Sequence, residues 1–326
     1  MIQKAEHTGH LLAASTEFTA RSVMPYSGRD DKHLADHIAV EAMRKSLDEL
    51  DLNLHILLGE GEKDDAPMLY SGECLGKRKN TDGPRLDLVV DPLECTTNFA
   101  RGLPDSMSVI LAAPSGNIQE VPGTYMEQIL VPPDASDLLG KEITLDKKPA
   151  EILPAVAKSV GISVTDITVV VQDRPRHKDL IAQIRATGAG VGLIESGSIS
   201  AGHEIINENQ TRWTMLWGTF GAPEGLIIAF MARASGYGFL GRVAPHNDTS
   251  RKAAEDLGIS GRSLREREWI RSDSVLVLSG IHSSTWMPGV RSLPDGRKKV
   301  TTFVWTEGRR EVLEHVNGDP VSIVVI

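Results

Sequence analysis

Two cysteines, Cys74 and Cys95, are all the chain holds in 326 residues. That is too few for a disulfide framework and fits a reducing compartment; a bridge between the two stays open but unsupported. Long apolar runs are missing as well. The longest, such as LIIAFMA at 226–232, fall far short of the ~20 residues of a membrane span. The first thirty residues carry Lys4, Glu6, Glu17 and Arg21 where a signal peptide needs an unbroken apolar core. A soluble, cytoplasmic protein with no membrane partner is expected. Positive charge is in deficit: the net charge is −9, which argues against a nucleic-acid partner, because phosphate backbones recruit Lys and Arg. No internal repeat or low-complexity tract is visible.

What remains is a globular composition, 40% hydrophobic and 24% charged, long enough for one large domain or two ordinary ones. Apolar periodicity predicts helices over 1–24, 31–50, 149–159, 178–187, 223–234 and 249–270. Strand signals fall at 54–58, 86–90, 108–113, 167–171, 191–194, 274–279 and 301–305. The stretch 131–140 reads as a loop, and 236–241 as a Gly-rich turn. Strands alternate with helices, so a layered α/β fold is expected, with two lobes, 1–155 and 156–326.

Carboxylates recur where apolar elements end. On the helix over 31–50, Val40, Met43, Leu47 and Leu50 form one stripe, and one turn earlier the stripe meets Asp36. A carboxylate there must be paired, protonated or metal-bound; a salt bridge is the simpler reading. The strand over 54–58 runs into Gly59, Glu60, Gly61 and Glu62, where flanking glycines free space around Glu60. The run 88–90 predicts a strand buried on both faces, ending at Asp91, with Pro92 stopping the ladder. Strand ends of that kind border ligand clefts in α/β sheets. Glu94 follows in the turn, and Thr96 or Thr97 suits the cap of the next helix, whose free N–H groups suit an anion. Glu224 follows Pro223 at a helix start, where the helix dipole alone favours an acid.

Taken together, Asp36, Glu60, Asp91, Glu94 and Glu224 are oxygen donors of the kind Mg²⁺ or Mn²⁺ prefers. Two such ions about 3.5–4 Å apart clamp a phosphate and activate water, with Thr96 placed to hold or help deprotonate that water. Arg174, Arg176, His177 and Lys178 make a basic cluster after the strand over 167–171. It suits a remote phosphate or is simply a solvated loop. His33 and His37 read as ordinary helix residues, and TGAGVG at 187–192 precedes a strand, unlike a dinucleotide fingerprint. Cys95 lies beside acids that oppose a thiolate, which disfavours it as a nucleophile.

GRDDKHLADHIAVEAMR, GEGEKDDAPMLYSGE, VDPLECTT, TYMEQILV, RPRH and GAPEG occur in the order and with the separations of one family. The chain resembles the class II, GlpX-like fructose-1,6-bisphosphatases, within the lithium-sensitive, inositol-monophosphatase-like superfamily. The resemblance covers nearly the whole chain. It implies an α/β sandwich, a metal-dependent phosphoric monoester hydrolase of carbohydrate metabolism, and assembly as a homo-oligomer, dimer or tetramer. It assigns Asp36, Glu60, Asp91, Glu94 and Glu224 to divalent metal, and catalysis to Thr96 with Asp36 and Glu60. Tyr125, Arg176 and His177 would contact the phosphorylated sugar, beside Cys95 and Thr96. It would make 1–155 the metal-binding lobe and 156–326 the substrate-binding lobe. The chain departs from the family pattern at Cys95, where a glycine is usual, and at Lys178, where an acid is. Ser196-Gly197-Ser198 replaces an Asp-Gly-Asp stretch near the sugar. These changes imply an altered sugar specificity: a hexose bisphosphate other than fructose 1,6-bisphosphate, or a heptulose, octose or cyclitol phosphate. A non-catalytic sugar-phosphate-binding regulator is the alternative of another class.

Overall fold

A computed structural model describes residues 2–59, 68–207, 213–271 and 273–326. Numbered along the chain, its elements begin with α1 (Ile2–Val23), α2 (Lys32–Asp48), β1 (Asn53–Leu58), β2 (Cys74–Leu75), β3 (Arg85–Glu94), α3 (Thr96–Ala100) and β4 (Met107–Pro114). Next come β5 (Tyr125–Val131), α4 (Pro149–Val160), β6 (Thr168–Gln172), α5 (Lys178–Ala186), β7 (Gly190–Ile194), α6 (Ser198–Ile206), β8 (Met215–Gly221) and α7 (Ala222–Ser235). The chain continues through β9 (Gly238–Ala244), α8 (Asp248–Asp256), β10 (Leu264–Arg265) and α9 (Glu266–Trp269). It ends with β11 (Val275–Gly280), β12 (Arg291–Ser292), β13 (Lys298–Thr306), β14 (Arg309–Val316) and β15 (Asp319–Val325). The fold is mixed α/β, as expected. None of the described helices is long and apolar enough to cross a membrane.

The chain forms two compact units, Met1–Ile118 with Arg271–Ile326, and Gln119–Ile270. The boundary expected at 155/156 falls inside α4, a helix whose Ile152, Leu153 and Val156 belong to the core of the second unit. The first unit is also discontinuous, because β11 pairs with β4 along its whole length, from Val275–Ala112 to Gly280–Met107. Pairing between segments so far apart in sequence leaves no local signal.

The first unit is a sheet of order β15-β14-β13-β11-β4-β3-β1-β2, with β12 on β13. Helices α1 and α2 bury Leu12, Ala13, Val40, Met43 and Leu47 against Leu54, Ile56, Leu88, Val90 and Ile110 of the sheet. Asp31 starts α2 by accepting from the Leu34 N–H at 3.0 Å. β3 runs parallel to β1 and antiparallel to β4. At the far edge, β15 leaves Val321, Ile323, Val324 and Val325 more than half exposed.

The second unit is a sheet of order β10-β9-β5-β8-β6-β7. Helices α4 and α5 pack on its core residues Ile129, Val131, Val169 and Val171. α7, apolar around nearly its whole circumference, is buried from Gly225 to Ala232. The helix expected over 249–270 is interrupted: Gly258 and Gly261 adopt φ of +67°, and β10 and α9 follow. The expected Gly-rich turn is in large part strand β9. A Cβ at Gly241 would meet Met126 Sδ at 2.8 Å and Phe239 Cε1 at 2.9 Å, so crowding, not a turn, selects that glycine. The expected loop over 131–140 contains a 3-10 turn, Pro133–Leu138.

One core residue is out of character. Gln128 of β5 is fully buried, and neither atom of its amide has a partner among the described residues. Leaving buried polar atoms unsatisfied costs about 1–3 kcal/mol. Gln128→Met, similar in size and apolar, is therefore expected to raise the unfolding free energy by about 1 kcal/mol. Denaturant unfolding reads it; a loss of stability would show that the amide is satisfied.

Candidate active site

In the first unit, β1 and β3 run parallel, so their C-terminal ends lie at the same end of the sheet, Leu58 opposite Val89. β1 leads into Gly59, where a Cβ would stand 2.2 Å from the Leu69 carbonyl oxygen; only glycine fits. Glu60, which follows, lies outside the described residues. β3 does not stop at Asp91. It passes through Pro92 to Glu94, and its register with β4 slips between the Asp91–Val109 and Glu94–Met107 pairs. Pro92 thus sits in a bulge, where its missing N–H costs no ladder bond. Asp91 is 7% exposed and Glu94 5%.

Cys95 then turns the chain through the left-handed region, φ +68° and ψ +40°, with its side chain buried. It, and not a threonine, occupies the N-cap of α3, and its side chain makes no cap bond. Thr96 is the first helical residue. Its hydroxyl lies 3.1 Å from Asp36 Oδ1 and 3.0 Å from the Leu93 carbonyl oxygen. Asp36 is half-buried, so the acid that continues the apolar stripe of α2 faces Thr96. Lys32 Nζ donates to Thr97 Oγ1 at 3.0 Å. α3 is five residues long, far shorter than a helix that would supply a strong dipole.

His282 is a residue the sequence did not single out. Its Nδ1 lies 2.6 Å from the Leu103 carbonyl oxygen and its Nε2 2.6 Å from Ser27 Oγ. The ring stacks on Phe99 of α3 at 5.2 Å. It braces the loop before α2 against the loop after α3. Burial pushes its pKa below the usual histidine value.

In the second unit, β6, β7 and β8 run parallel and β5 runs antiparallel to β8. The C-terminal ends of β6, β7 and β8 and the start of β5 therefore share one edge. That edge collects the 174–178 segment, Ser196, Glu224 and Tyr125. Tyr125 pairs with Gly221, and the Arg176 guanidinium lies 5.0 Å from the Tyr125 ring centroid. Arg176 is held by the Thr219 carbonyl at 2.9 Å and Gln172 Oε1 at 2.8 Å. Burial lowers its pKa, opposed by the nearby Tyr125 and Glu224. Glu224, half-buried in the first turn of α7, folds back over Gly221, where a Cβ would stand 2.0 Å from its Oε2. Ser198 is buried and Lys178 exposed.

His177 is placed differently from the expectation of a sugar contact. It is 2% exposed. Its Nδ1 lies 2.7 Å from the Gln172 carbonyl oxygen, and its Nε2 accepts from the Thr219 N–H at 2.8 Å. Both ring nitrogens are thus engaged by main chain, which fixes the neutral tautomer with hydrogen on Nδ1. The ring ties the end of β6 to β8 and so carries the turn that presents Arg176.

The donor set fits a hard divalent cation in kind, since all its candidate ligands are carboxylates. Among the described residues no group of three or more His, Cys, Asp or Glu side chains is arranged to hold a metal ion. Both cysteines are free thiols, Cys74 exposed and Cys95 buried.

The family profile described as "Bacterial fructose-1,6-bisphosphatase, glpX-encoded" matches residues 7–317. This chain belongs to that family. Two curated relatives, from Synechococcus sp. strains JA-3-3Ab and JA-2-3B'a(2-13), are each 34% identical over 317 residues, covering 90% of either chain. A third, from Trichodesmium erythraeum strain IMS101, is 32% identical over 308 residues, covering 87% of this chain and 88% of its own. All three are named D-fructose 1,6-bisphosphatase class 2/sedoheptulose 1,7-bisphosphatase. As a member of the GlpX-type bisphosphatase family, the chain is a phosphoric monoester hydrolase.

Two outcomes follow from this geometry. A non-glycine residue in the left-handed region carries roughly 1–2 kcal/mol of strain. Cys95→Gly should therefore be more stable than Cys95→Ala by about 1 kcal/mol, measured by denaturant unfolding; equal stabilities would mean no strain is held there. Burial depresses the His177 pKa and outweighs the raising effect of its main-chain bonds, with Arg176 and Arg174 lowering it further. The folded state then binds this proton less readily than the unfolded state, so its contribution is present above about pH 6.5 and is lost as pH falls below that. His177→Asn should flatten the fall in stability between neutral pH and about pH 5, by at most ~1.4 kcal/mol per pH unit. An unchanged slope would assign the titration elsewhere.

Proposed function

We propose that the chain is a Mg²⁺- or Mn²⁺-dependent phosphatase of a sugar bisphosphate, with a sugar preference shifted from fructose 1,6-bisphosphate. The observation that carries the reading is the Thr96 hydroxyl set 3.1 Å from the Asp36 carboxylate, just after the buried Asp91 and Glu94 that flank the register slip. Asp36, Glu60, Asp91, Glu94 and Glu224 are the proposed metal ligands, on the strength of the family resemblance. The bound ions would neutralise the phosphate and lower the pKa of water.

The chain's own residues supply the rest. With its hydrogen directed to Asp36, Thr96 Oγ1 keeps lone pairs free to accept from a water, orienting that water's oxygen toward phosphorus. Asp36, at the other end of the bond, accepts through Thr96 the proton the water loses as it attacks phosphorus, while the sugar oxygen, as its bond to phosphorus breaks, takes a proton from solvent. Arg176, stacked on Tyr125, offers a cationic contact to the phosphorylated sugar. Lys178, Ser196 and Ser198 stand where the family pattern has acids, and hydroxyl-reading sites reject mismatched sugars strongly. A hexose, heptulose or octose bisphosphate, or a cyclitol phosphate, is the proposed range. A sedoheptulose bisphosphate has support from the names of the three relatives. We place the enzyme in the cytoplasm, on its sparse cysteine and the lack of a signal-peptide pattern, and as a homo-oligomer on the family resemblance.

Phosphate release from a panel of sugar mono- and bisphosphates, with Mg²⁺ or Mn²⁺, tests the reading. Turnover is expected, with fructose 1,6-bisphosphate not the best substrate, and Asp91→Asn should reduce it by at least 100-fold (about 2.7 kcal/mol or more). No turnover on any substrate, with sugar-phosphate binding intact, would favour the regulator instead; an unaffected Asp91→Asn rate would remove this site.

A further inference from the structure

The second unit contains a pocket of about 250 Å³ between the 145–149 segment, α5 and the sheet. Its charge is one-sided. Lys147, Lys148 and Arg176 line it, with Glu127 as the acid among them. Glu127 is paired with Arg242, whose Nε lies 2.8 Å from its Oε2; the same guanidinium is shared with Asp146 at 2.6 Å. Lys147 Nζ donates to the main-chain carbonyls of Glu142 at 2.9 Å and Lys141 at 3.3 Å, neither of which carries charge. Arg176 is likewise held by a carbonyl and an amide oxygen, with Glu224 an electrostatic neighbour. Leu145, Leu180 and Trp217 add apolar lining. Cationic and apolar lining together, in a space below the usual size of drug-like sites, suit a small organic body bearing a compact dianion.

We propose that this pocket binds the phosphate group of a small phosphorylated molecule, with Lys147 and Lys148 as its principal charge contacts. A phosphate monoester carries about −1.5 to −2 charges at neutral pH and is matched by two ammonium groups and one guanidinium. Arg176 belongs both to this pocket and to the Tyr125 cluster, so the phosphate has two sources of the same chemistry. It is either the far phosphate of the bisphosphate substrate, which rests on the proposed function, or the phosphate of a separate effector.

Isothermal titration of the full-chain protein with inorganic phosphate, wild type against a Lys147→Gln/Lys148→Gln double variant, tests the assignment. Glutamine keeps a donor for the 141–142 carbonyls. Lys147 is half-buried and Lys148 exposed, so an unchanged Tm is the control for folding. Affinity for phosphate should fall about tenfold in the double variant; equal affinities overturn the proposal. Kinetics then separate the sources. A raised KM for a sugar bisphosphate, with hydrolysis of an aryl phosphate unchanged, identifies the far phosphate of the substrate. Unchanged kinetics on both, with phosphate affinity lost, identify a separate effector. Lysine-dependent phosphate binding without turnover on any substrate supports the pocket and counts against the phosphatase reading alone.

Discussion

The register of β3 against β4 governs the edge of the first unit that carries Asp91, Glu94 and Thr96. Pairing holds from Leu86–Pro114 to Asp91–Val109, slips, and resumes at Glu94–Met107. The slip lets a proline stand inside a strand, and it re-aims the side chains that follow it. Two carboxylates are held buried on either side of it, because the hydrophobic run before them anchors the strand in the core. The left-handed turn at Cys95 then reverses the chain so that Thr96 meets Asp36 from α2. Each step constrains the next: without the slip, Glu94 and Thr96 would project elsewhere.

Much of this edge was legible in the sequence, for definite reasons. The apolar run 88–90 is hard to place anywhere but in a buried strand, and acids straight after it have few bland explanations. The stripe through Val40, Met43 and Leu47 located Asp36 because helical periodicity is local. Less legible was whatever depends on distant partners. Threonine reads as a cap, yet a cysteine took that position, because backbone conformation there follows from the bulge before it. Strand β9 is hidden in the sequence because its glycines resemble a turn, when side chains of Met126, Phe239 and Trp269 crowd the Gly241 position. β14 went unread because its charged residues break up the apolar signal.

The second unit shows the same limit in its chemistry. Arg176 and His177 are adjacent, and a basic motif treats them alike. Their surroundings separate them: one guanidinium stacks on Tyr125 at the sheet edge, while the neighbouring imidazole spends both nitrogens on main chain from β6 and β8. A motif match marks both residues without distinguishing a ligand contact from a brace. Convergence of Tyr125, Arg176 and Glu224 on one edge comes instead from topology, since three parallel strands and one antiparallel neighbour bring their ends together.

The discontinuity of the first unit also sets an order of assembly on the ribosome. β4 is made early, but its neighbour β11 follows only after the whole of Gln119–Ile270 has emerged. At about 5–20 residues per second, the open flank of β4 waits on the order of ten seconds for its partner, while the intervening unit already has every strand of its own sheet. The insert can therefore close first, and the sheet that carries Asp91 and Glu94 is completed last, by the returning C-terminal strands.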